Sequence, residues 1–174
     1  MTWLRGECMK ALDYEEFNTY IKDIVLNEKF NLLKDENHHG ISRYEHSMRV
    51  AKYTYKITKF FNSKRVQDVT RAALLHDFYL NSDLGDASSS KRLGLHPQAA
   101  LDNSLKYYEL SDIQKDIIVN HMFPITKKLP KYKESWLVTL VDKNVSTYEM
   151  LKFKLPLYAG IYLLFFMNVM AIKN

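Results

Sequence analysis

Six histidine and aspartate residues in the middle of the chain have types and spacings that could hold metal ions. They are His46, His76, Asp77, His96, His121 and Asp142. Imidazole nitrogens and carboxylate oxygens are ligands that proteins offer to divalent cations, and an aspartate can bridge two ions with its two oxygens. The chain has one cysteine, Cys8, so a metal site must rely on His, Asp and Glu. Six such groups exceed the need of one ion, and the pattern predicts more than one metal.

Most of these positions also have an ordinary interpretation. His46 lies within a predicted helix, where an isolated histidine is more often a core or surface residue than a ligand. His96 and His121 lie beside predicted loops and could simply cap helices. Asp142 follows the apolar run WLVTLV, where burial of a carboxylate is costly unless it is paired or metal-bound. Lys143 is the alternative partner for that carboxylate.

Hydrophobic periodicity predicts that helices position these residues. The chain has five glycines and four prolines, which favours long helices over a turn-rich β fold. The predicted helices cover 14–34, 42–61, 64–79, 111–122 and 134–153. A further helix is predicted to begin at 96–97. Residues 80–94 are predicted to form a loop, and no strand is predicted. The expected fold class is all-α, as a bundle or an orthogonal array of helices.

Local signals refine the ends of these helices. A capping box is predicted at two helix starts, formed by Ser42 with Glu45 and by Ser111 with Gln114. The helix over 64–79 is apolar almost all round, which places it at the centre of the core and puts His76 and Asp77 at its end. His96 is expected at the start of the next helix, with Pro97 in its first turn.

The C-terminal segment Leu155–Ile172 contains eighteen residues and no charge. A helix rises about 1.5 Å per residue, so this length just reaches across a hydrocarbon core, and one interpretation is a membrane span. The others are a buried terminal helix or a helix that pairs with a second subunit in a homodimer. Pro156, Gly160 and Asn168 weaken the membrane interpretation without excluding it.

Charge and cysteine content limit the expected partners and location. The net charge of +5 and the isoelectric point near 9.1 favour an anionic partner. No RNA- or DNA-binding motif is visible, so we expect a small phosphorylated molecule and no nucleic acid. A single cysteine fits a reducing compartment, which predicts the cytoplasm, with membrane association through 155–172 as the alternative. His38 and His39 lie in a polar loop and are expected to be exposed.

Five stretches surround the candidate ligands and cover roughly residues 41–148: SRYEHSMRVA, RAALLHDF, GLHPQAA, IVNHMFPIT and LVTLVDK. In these stretches the chain resembles the HD-domain phosphohydrolase superfamily. It looks similar to small prokaryotic HD hydrolases with six ligands, including the group that cleaves diadenosine tetraphosphate symmetrically. Leu80 stands where relatives that hydrolyse cyclic dinucleotides often carry a lysine, and the GYP signature of the cyclic-di-GMP enzymes is absent. The expected organisation is an N-terminal helical extension at 1–40, an HD domain at 41–153 and a hydrophobic C-terminal helix at 154–174.

The resemblance also implies a role for each candidate ligand. It implies His46, His76, Asp77 and Asp142 as ligands of one metal. His96 and His121 would hold a second metal, with Asp77 bridging the two and so acting as the central catalytic residue. The ions, iron or manganese ahead of zinc and magnesium, would lie about 3.5–4 Å apart and share a hydroxide that attacks phosphorus in line.

Negative charge that develops in such a reaction needs cations close to it. Arg43 and Lys143 are each near a candidate ligand in sequence, and we assign them catalytic and substrate-binding roles as a hypothesis. Lys127 and Lys128 follow His121 and are further candidates to bind phosphate. Each of these four side chains is equally compatible with a solvated surface charge.

The sequence therefore predicts a metal-dependent phosphohydrolase that cleaves a phosphate ester or anhydride, with a nucleotide as the expected substrate. One alternative is a regulatory HD module that binds metal or nucleotide without turnover. Another is a structural or membrane-anchored interaction protein in which the histidines are incidental. Six intact ligand positions favour the hydrolase.

Overall fold

A computed structural model describes the backbone of residues 2–38 and 40–172, with side chains for 13–37, 40–152, 154 and 155. His39 and the side chain of His38, both expected to be exposed, lie outside the described residues. Within this part of the chain the structure has seven α-helices. They are α1 (Thr2–Val25), α2 (Glu28–Asn31), α3 (Arg43–Phe60), α4 (Val66–Leu75), α5 (Ser89–Tyr107), α6 (Asp112–Asn120) and α7 (Lys133–Ile172). The predicted all-α class is confirmed.

Helix α4 lies at the centre of the core, as its apolar sequence predicts. Residues 72–75 (Ala-Ala-Leu-Leu) are completely buried. Helix α1 contributes Phe17, Ile21 and Ile24 to the same buried cluster, so the N-terminal helix packs on the helices that carry the candidate ligands.

Side-chain caps begin two of these helices where the sequence places them. The hydroxyl of Ser42 accepts a hydrogen bond from the Glu45 amide at 3.2 Å, and the Ser42 amide donates to the Glu45 carboxylate at 3.3 Å. At the start of α6 the Ser111 amide donates to Gln114 Oε1 at 2.9 Å. These contacts satisfy amides that a helix start leaves unpaired, which fixes where α3 and α6 begin.

The structure differs from the predicted elements in the first forty residues. The helix predicted over 14–34 is broken, because the Asn27 side chain accepts a hydrogen bond from the Phe30 amide at 3.1 Å and starts α2. A 3₁₀ turn at Leu32–Lys34 follows. A two-residue antiparallel hairpin, which was not predicted, then pairs Asn37–His38 with Ile41–Ser42. Gly40 turns this hairpin with φ of +92°, a conformation that glycine adopts without strain.

The expectation that His96 starts a helix is wrong. Helix α5 begins seven residues earlier, at Ser89, so His96 and Pro97 lie inside it. Arg92 explains the earlier start, since its side chain donates to the carbonyls of Ala87 at 2.8 Å and Gly85 at 3.0 Å and holds the incoming loop against the first turn. Part of the predicted loop is also a 3₁₀ turn, at Asn81–Leu84.

The last helix is longer than the one predicted for the core. Residues 155–172 are helical, as predicted, and they continue α7 without a break from Lys133 to Ile172. The side chains of residues 156–172, on which the membrane and homodimer interpretations depend, lie outside those described. Over the residues that the structure describes, no helix offers a stretch long and apolar enough to cross a membrane.

Candidate metal centre

The six candidate ligands converge in one buried cluster. His46 is on α3, His96 on α5 and Asp142 on α7, while His76 and Asp77 directly follow α4 and His121 directly follows α6. Each residue is buried, with Asp142 the most accessible at 6 % exposure. Three overlapping sets of ligand atoms each lie within 4.8 Å of one another. These sets are His46, His76 and Asp77; His76, His121 and Asp142; and Asp77, His96 and His121.

The first half of the cluster surrounds the carboxylate of Asp142. Its Oδ1 lies 3.1 Å from His46 Nε2 and 3.6 Å from His76 Nε2. The hydroxyl of Ser146, one turn later on α7, donates to the same oxygen at 3.3 Å. His76 Nε2 also lies 3.7 Å from Asp77 Oδ2. This half therefore gathers two imidazoles and two carboxylates.

The second half lies on the other side of Asp77. Its Oδ1 is 3.4 Å from His96 Nε2 and 3.6 Å from His121 Nε2. The two Nε2 atoms of His96 and His121 are 3.0 Å apart. Oδ1 of Asp77 thus faces His96 and His121, while Oδ2 faces His76, which is the geometry that a bridging carboxylate needs.

All four histidines have their Nδ1 atoms occupied by an oxygen acceptor. Nδ1 of His46 lies 2.8 Å from Glu149 Oε2, and Nδ1 of His76 lies 2.8 Å from the Ala73 carbonyl oxygen. Nδ1 of His96 lies 3.0 Å from the Arg92 carbonyl oxygen, and Nδ1 of His121 lies 2.7 Å from that of Ile118. In a neutral imidazole whose Nδ1–H donates, Nε2 carries the lone pair. Fixing the second nitrogen in this way is how proteins orient metal-binding histidines.

The donor set fits divalent cations. With both Nδ1 atoms donating, His96 and His121 point two lone pairs at each other at 3.0 Å, which is unfavourable unless a cation or proton lies between them. The Nε2 atom of His76 is buried and makes no hydrogen bond with any described residue. Burying a polar atom without a hydrogen-bond partner lowers the stability of the folded protein, and a metal ion would supply a partner.

The protonation equilibria of the two halves differ. Burial alone would lower the pKa of His46, but its hydrogen bonds to Asp142 and Glu149 raise that pKa to about 10. Burial, together with the neighbouring imidazoles, lowers the pKa of His121 to about 3. Burial also lowers the pKa of His96, and Asp77 only partly offsets this effect. At neutral pH without metal, His46 is therefore protonated, while the second half is neutral and its lone pairs are free for a cation.

Glu149 belongs to this centre, although the sequence analysis did not identify it. It is 2 % exposed, and its two oxygens accept hydrogen bonds from His46 Nδ1 and from Arg49, each at 2.8 Å. Its signal in the sequence is weak. It follows Asp142 by seven residues, or about two helical turns, and so lies on the same face of α7.

Arg43 contacts the cluster through Tyr79, a second residue that the sequence analysis missed. The guanidinium is buried and donates to the Tyr79 carbonyl at 2.8 Å and to Glu36 at 3.3 Å. It also lies 3.8 Å above the centroid of the Tyr79 ring. Tyr79 in turn stacks on His96, with the ring centroids 5.1 Å apart. Arg43 therefore braces the segment that follows Asp77.

The three lysine candidates lie at different distances from the centre. Lys143 Nζ donates to the carbonyl of His121 at 3.2 Å, so it lies beside the second half and does not neutralise Asp142. Lys127 and Lys128 are exposed in the loop between α6 and α7, and Lys128 lines a separate groove that contains none of the six ligands. Their role in substrate binding stays a prediction.

Comparison with known proteins places the chain in a family. The family model described as HD domain matches residues 43–145, which is more than half of the chain and contains all six candidate ligands. Neither the curated proteins nor the solved structures contain a match to the chain. The all-α fold is consistent with this match, and the chain belongs to the HD domain family.

Proposed function

We propose that this protein is a metal-dependent phosphohydrolase that cleaves a phosphate ester or anhydride of a nucleotide. HD domains are generally metal-dependent phosphohydrolases, which supports the reaction class. The observation that carries the proposal is the convergence of four imidazole Nε2 atoms and two carboxylates in one buried cluster, with every Nδ1 occupied by an acceptor.

The proposed ligand sets follow the two halves of the cluster. His46, His76, Asp77 and Asp142 would hold one divalent cation. His96 and His121 would hold a second, with Asp77 shared between them. Such a pair of cations polarises phosphoryl oxygens and lowers the pKa of water, which is the chemistry that phosphate hydrolysis requires.

Residues around the ligands would orient them and receive the substrate. Glu149 and three backbone carbonyls fix the imidazole rings, so little reorganisation is needed when the site loads. Lys143 lies beside the carbonyl of His121, and we assign it to phosphate binding together with the exposed Lys127 and Lys128. Arg43 acts as a positioning residue, because its stack on Tyr79 supports the ring of His96.

The nucleotide substrate is supported by resemblance and by charge. The five matched stretches are similar to those of small prokaryotic HD hydrolases, which include enzymes that cleave diadenosine tetraphosphate. A net charge of +5 favours anionic substrates over neutral ones.

Asp142→Asn tests this proposal, with Glu134→Gln as the matched control. Asparagine keeps the size of Asp142 but removes the charge that holds a cation, so turnover should fall by at least about a hundredfold. Glu134 is also buried on α7 but pairs with Arg65 at 3.9 Å, and its variant should keep wild-type activity. Turnover is measured with manganese, and with iron under anaerobic conditions, on mononucleotides, dinucleoside polyphosphates and guanosine polyphosphates.

Two results would contradict the proposal. Full activity of Asp142→Asn would show that the ligand is wrongly assigned. Metal-loaded wild-type protein that hydrolyses no member of the panel would favour the non-catalytic regulatory module.

A further inference from the structure

A groove of about 740 Å³ lies between α3 and α7, and the proposed reaction does not use it. Aliphatic and cationic side chains make up most of its lining. The aliphatic residues are Ile57, Leu137, Leu140, Val141 and Val145, and the cationic residues are Arg49, Lys52, Lys56 and Lys152. None of the described residues that line the groove is acidic. The groove therefore favours a partner that is both anionic and apolar.

Three of the four cations are available to such a partner. Arg49 is already paired with Glu149 at 2.8 Å. Lys52, Lys56 and Lys152 are exposed, and none forms an ion pair with a described residue, in contrast to Lys59, which pairs with Glu16. Three unneutralised ammonium groups around one groove repel each other and favour the approach of negative charge.

The apolar surface extends from the groove along α7. Tyr148, Leu151 and Leu155 are 59 %, 59 % and 69 % exposed. Their spacing of three and four residues places them on one side of the helix, next to Lys152. Beyond Leu155 the same helix continues through a sequence without charge to Ile172. On α3, Tyr53 lines the groove and is 54 % exposed.

We infer that this face of α3 and α7 binds the surface of a membrane that contains anionic lipids. Lysines attract anionic headgroups, tyrosines are favoured at the boundary between headgroups and acyl chains, and leucines enter the acyl region. The inference concerns binding to the membrane surface and does not require any helix to span the bilayer.

Two other occupants fit the observations less well. A nucleotide would match the charge of the groove but would leave Leu151 and Leu155 in water. A second copy of the chain, docked through the same face, would bring the lysines of one copy against those of the other. An anionic lipid surface satisfies the lysines and the exposed apolar residues together.

The test is co-sedimentation of the full-length protein with vesicles of phosphatidylcholine alone or with added phosphatidylserine. One variant combines Lys52→Gln, Lys56→Gln and Lys152→Gln. The matched control makes the same charge change at Lys22, Lys29 and Lys106, none of which lines the groove. Metal content and circular dichroism of both variants establish that they are folded.

Wild-type protein and the control should pellet with the anionic vesicles, and high salt should weaken the binding. Each lysine near an anionic leaflet contributes about fivefold to partitioning, so the groove variant should bind about a hundredfold more weakly. Equal binding by the two triple variants would overturn the inference, as would equal binding of wild type to neutral vesicles. Absence of vesicle binding by wild type would also overturn the inference. In that case, a dimer that the groove variant disrupts would assign the groove to a second copy of the chain. Saturable ADP binding that the groove variant loses would assign the groove to a nucleotide.

Discussion

Uptake of a divalent cation by the first half of the cluster, which contains His46, should release at least one proton at neutral pH. Hydrogen bonds to Asp142 and Glu149 raise the pKa of His46 to about 10, so its Nε2 carries a proton before metal binds. Metal at Nε2 must displace that proton. The burial that lowers the pKa of His121 to about 3 leaves its Nε2 deprotonated, so the second half should bind without release from that ring.

The size of the effect follows from the pKa of His46. Between pH 7 and a pKa of about 10 there are about three pH units, and each unit corresponds to about a tenfold change in the ratio of protonated to deprotonated imidazole. Proton competition should therefore weaken cation binding to the first half at pH 7 by about a thousandfold relative to a deprotonated site. Between pH 6.5 and 8.5 the measured affinity should rise about a hundredfold.

The variant Glu149→Gln tests whether the charge of Glu149 raises the pKa of His46. Glutamine can still accept a hydrogen bond from His46 but has no charge, so the pKa of His46 should fall. The affinity of this variant should then stop rising at a lower pH than that of wild type. Glu134→Gln is the control, because Glu134 is buried on the same helix and pairs with Arg65 instead. It should follow the wild-type curve.

Titration calorimetry of the metal-free protein in buffers with different ionisation enthalpies counts the protons released. Chelator competition from pH 6.5 to 8.5 gives the affinities. If none of the binding events has an apparent enthalpy that changes with the buffer, the assigned protonation of His46 is refuted. Coincident affinity curves for Glu149→Gln and wild type would show that Glu149 does not control that proton.

Replacing both His96 and His121 with alanine should lower the bound metal to one equivalent per chain, measured by elemental analysis, because the first half keeps its four ligands. Two equivalents in that folded variant would contradict the proposed second set. Ser42→Ala should destabilise the metal-free protein by about 1 kcal/mol in urea unfolding, since the Glu45 amide at the start of α3 loses its acceptor. An unchanged unfolding midpoint would show that the cap adds no stability.

Local interactions explain which parts of the fold the sequence predicts well. The caps at Ser42 and Ser111 each connect residues only three positions apart, so they can be recognised without the tertiary structure. The same holds for two of the ligands, because Nδ1 of His76 and of His121 donates to the carbonyl three residues earlier, where α4 and α6 end. The orientation of these two rings is thus determined largely by the ends of their own helices.

The sequence predicts the all-α class, the central position of α4, and the identity and order of the six candidate ligands. The packing of the helices then fixes which nitrogen faces which oxygen and which other residues complete the centre. Glu149 lies 103 residues from His46 and reaches it only because α3 and α7 pack together. Arg43 reaches the centre through Tyr79, 36 residues away. These contacts could not be predicted from the sequence, because a hydrogen bond between distant segments depends on how whole helices pack. A helix cap, in contrast, depends on a few neighbouring residues.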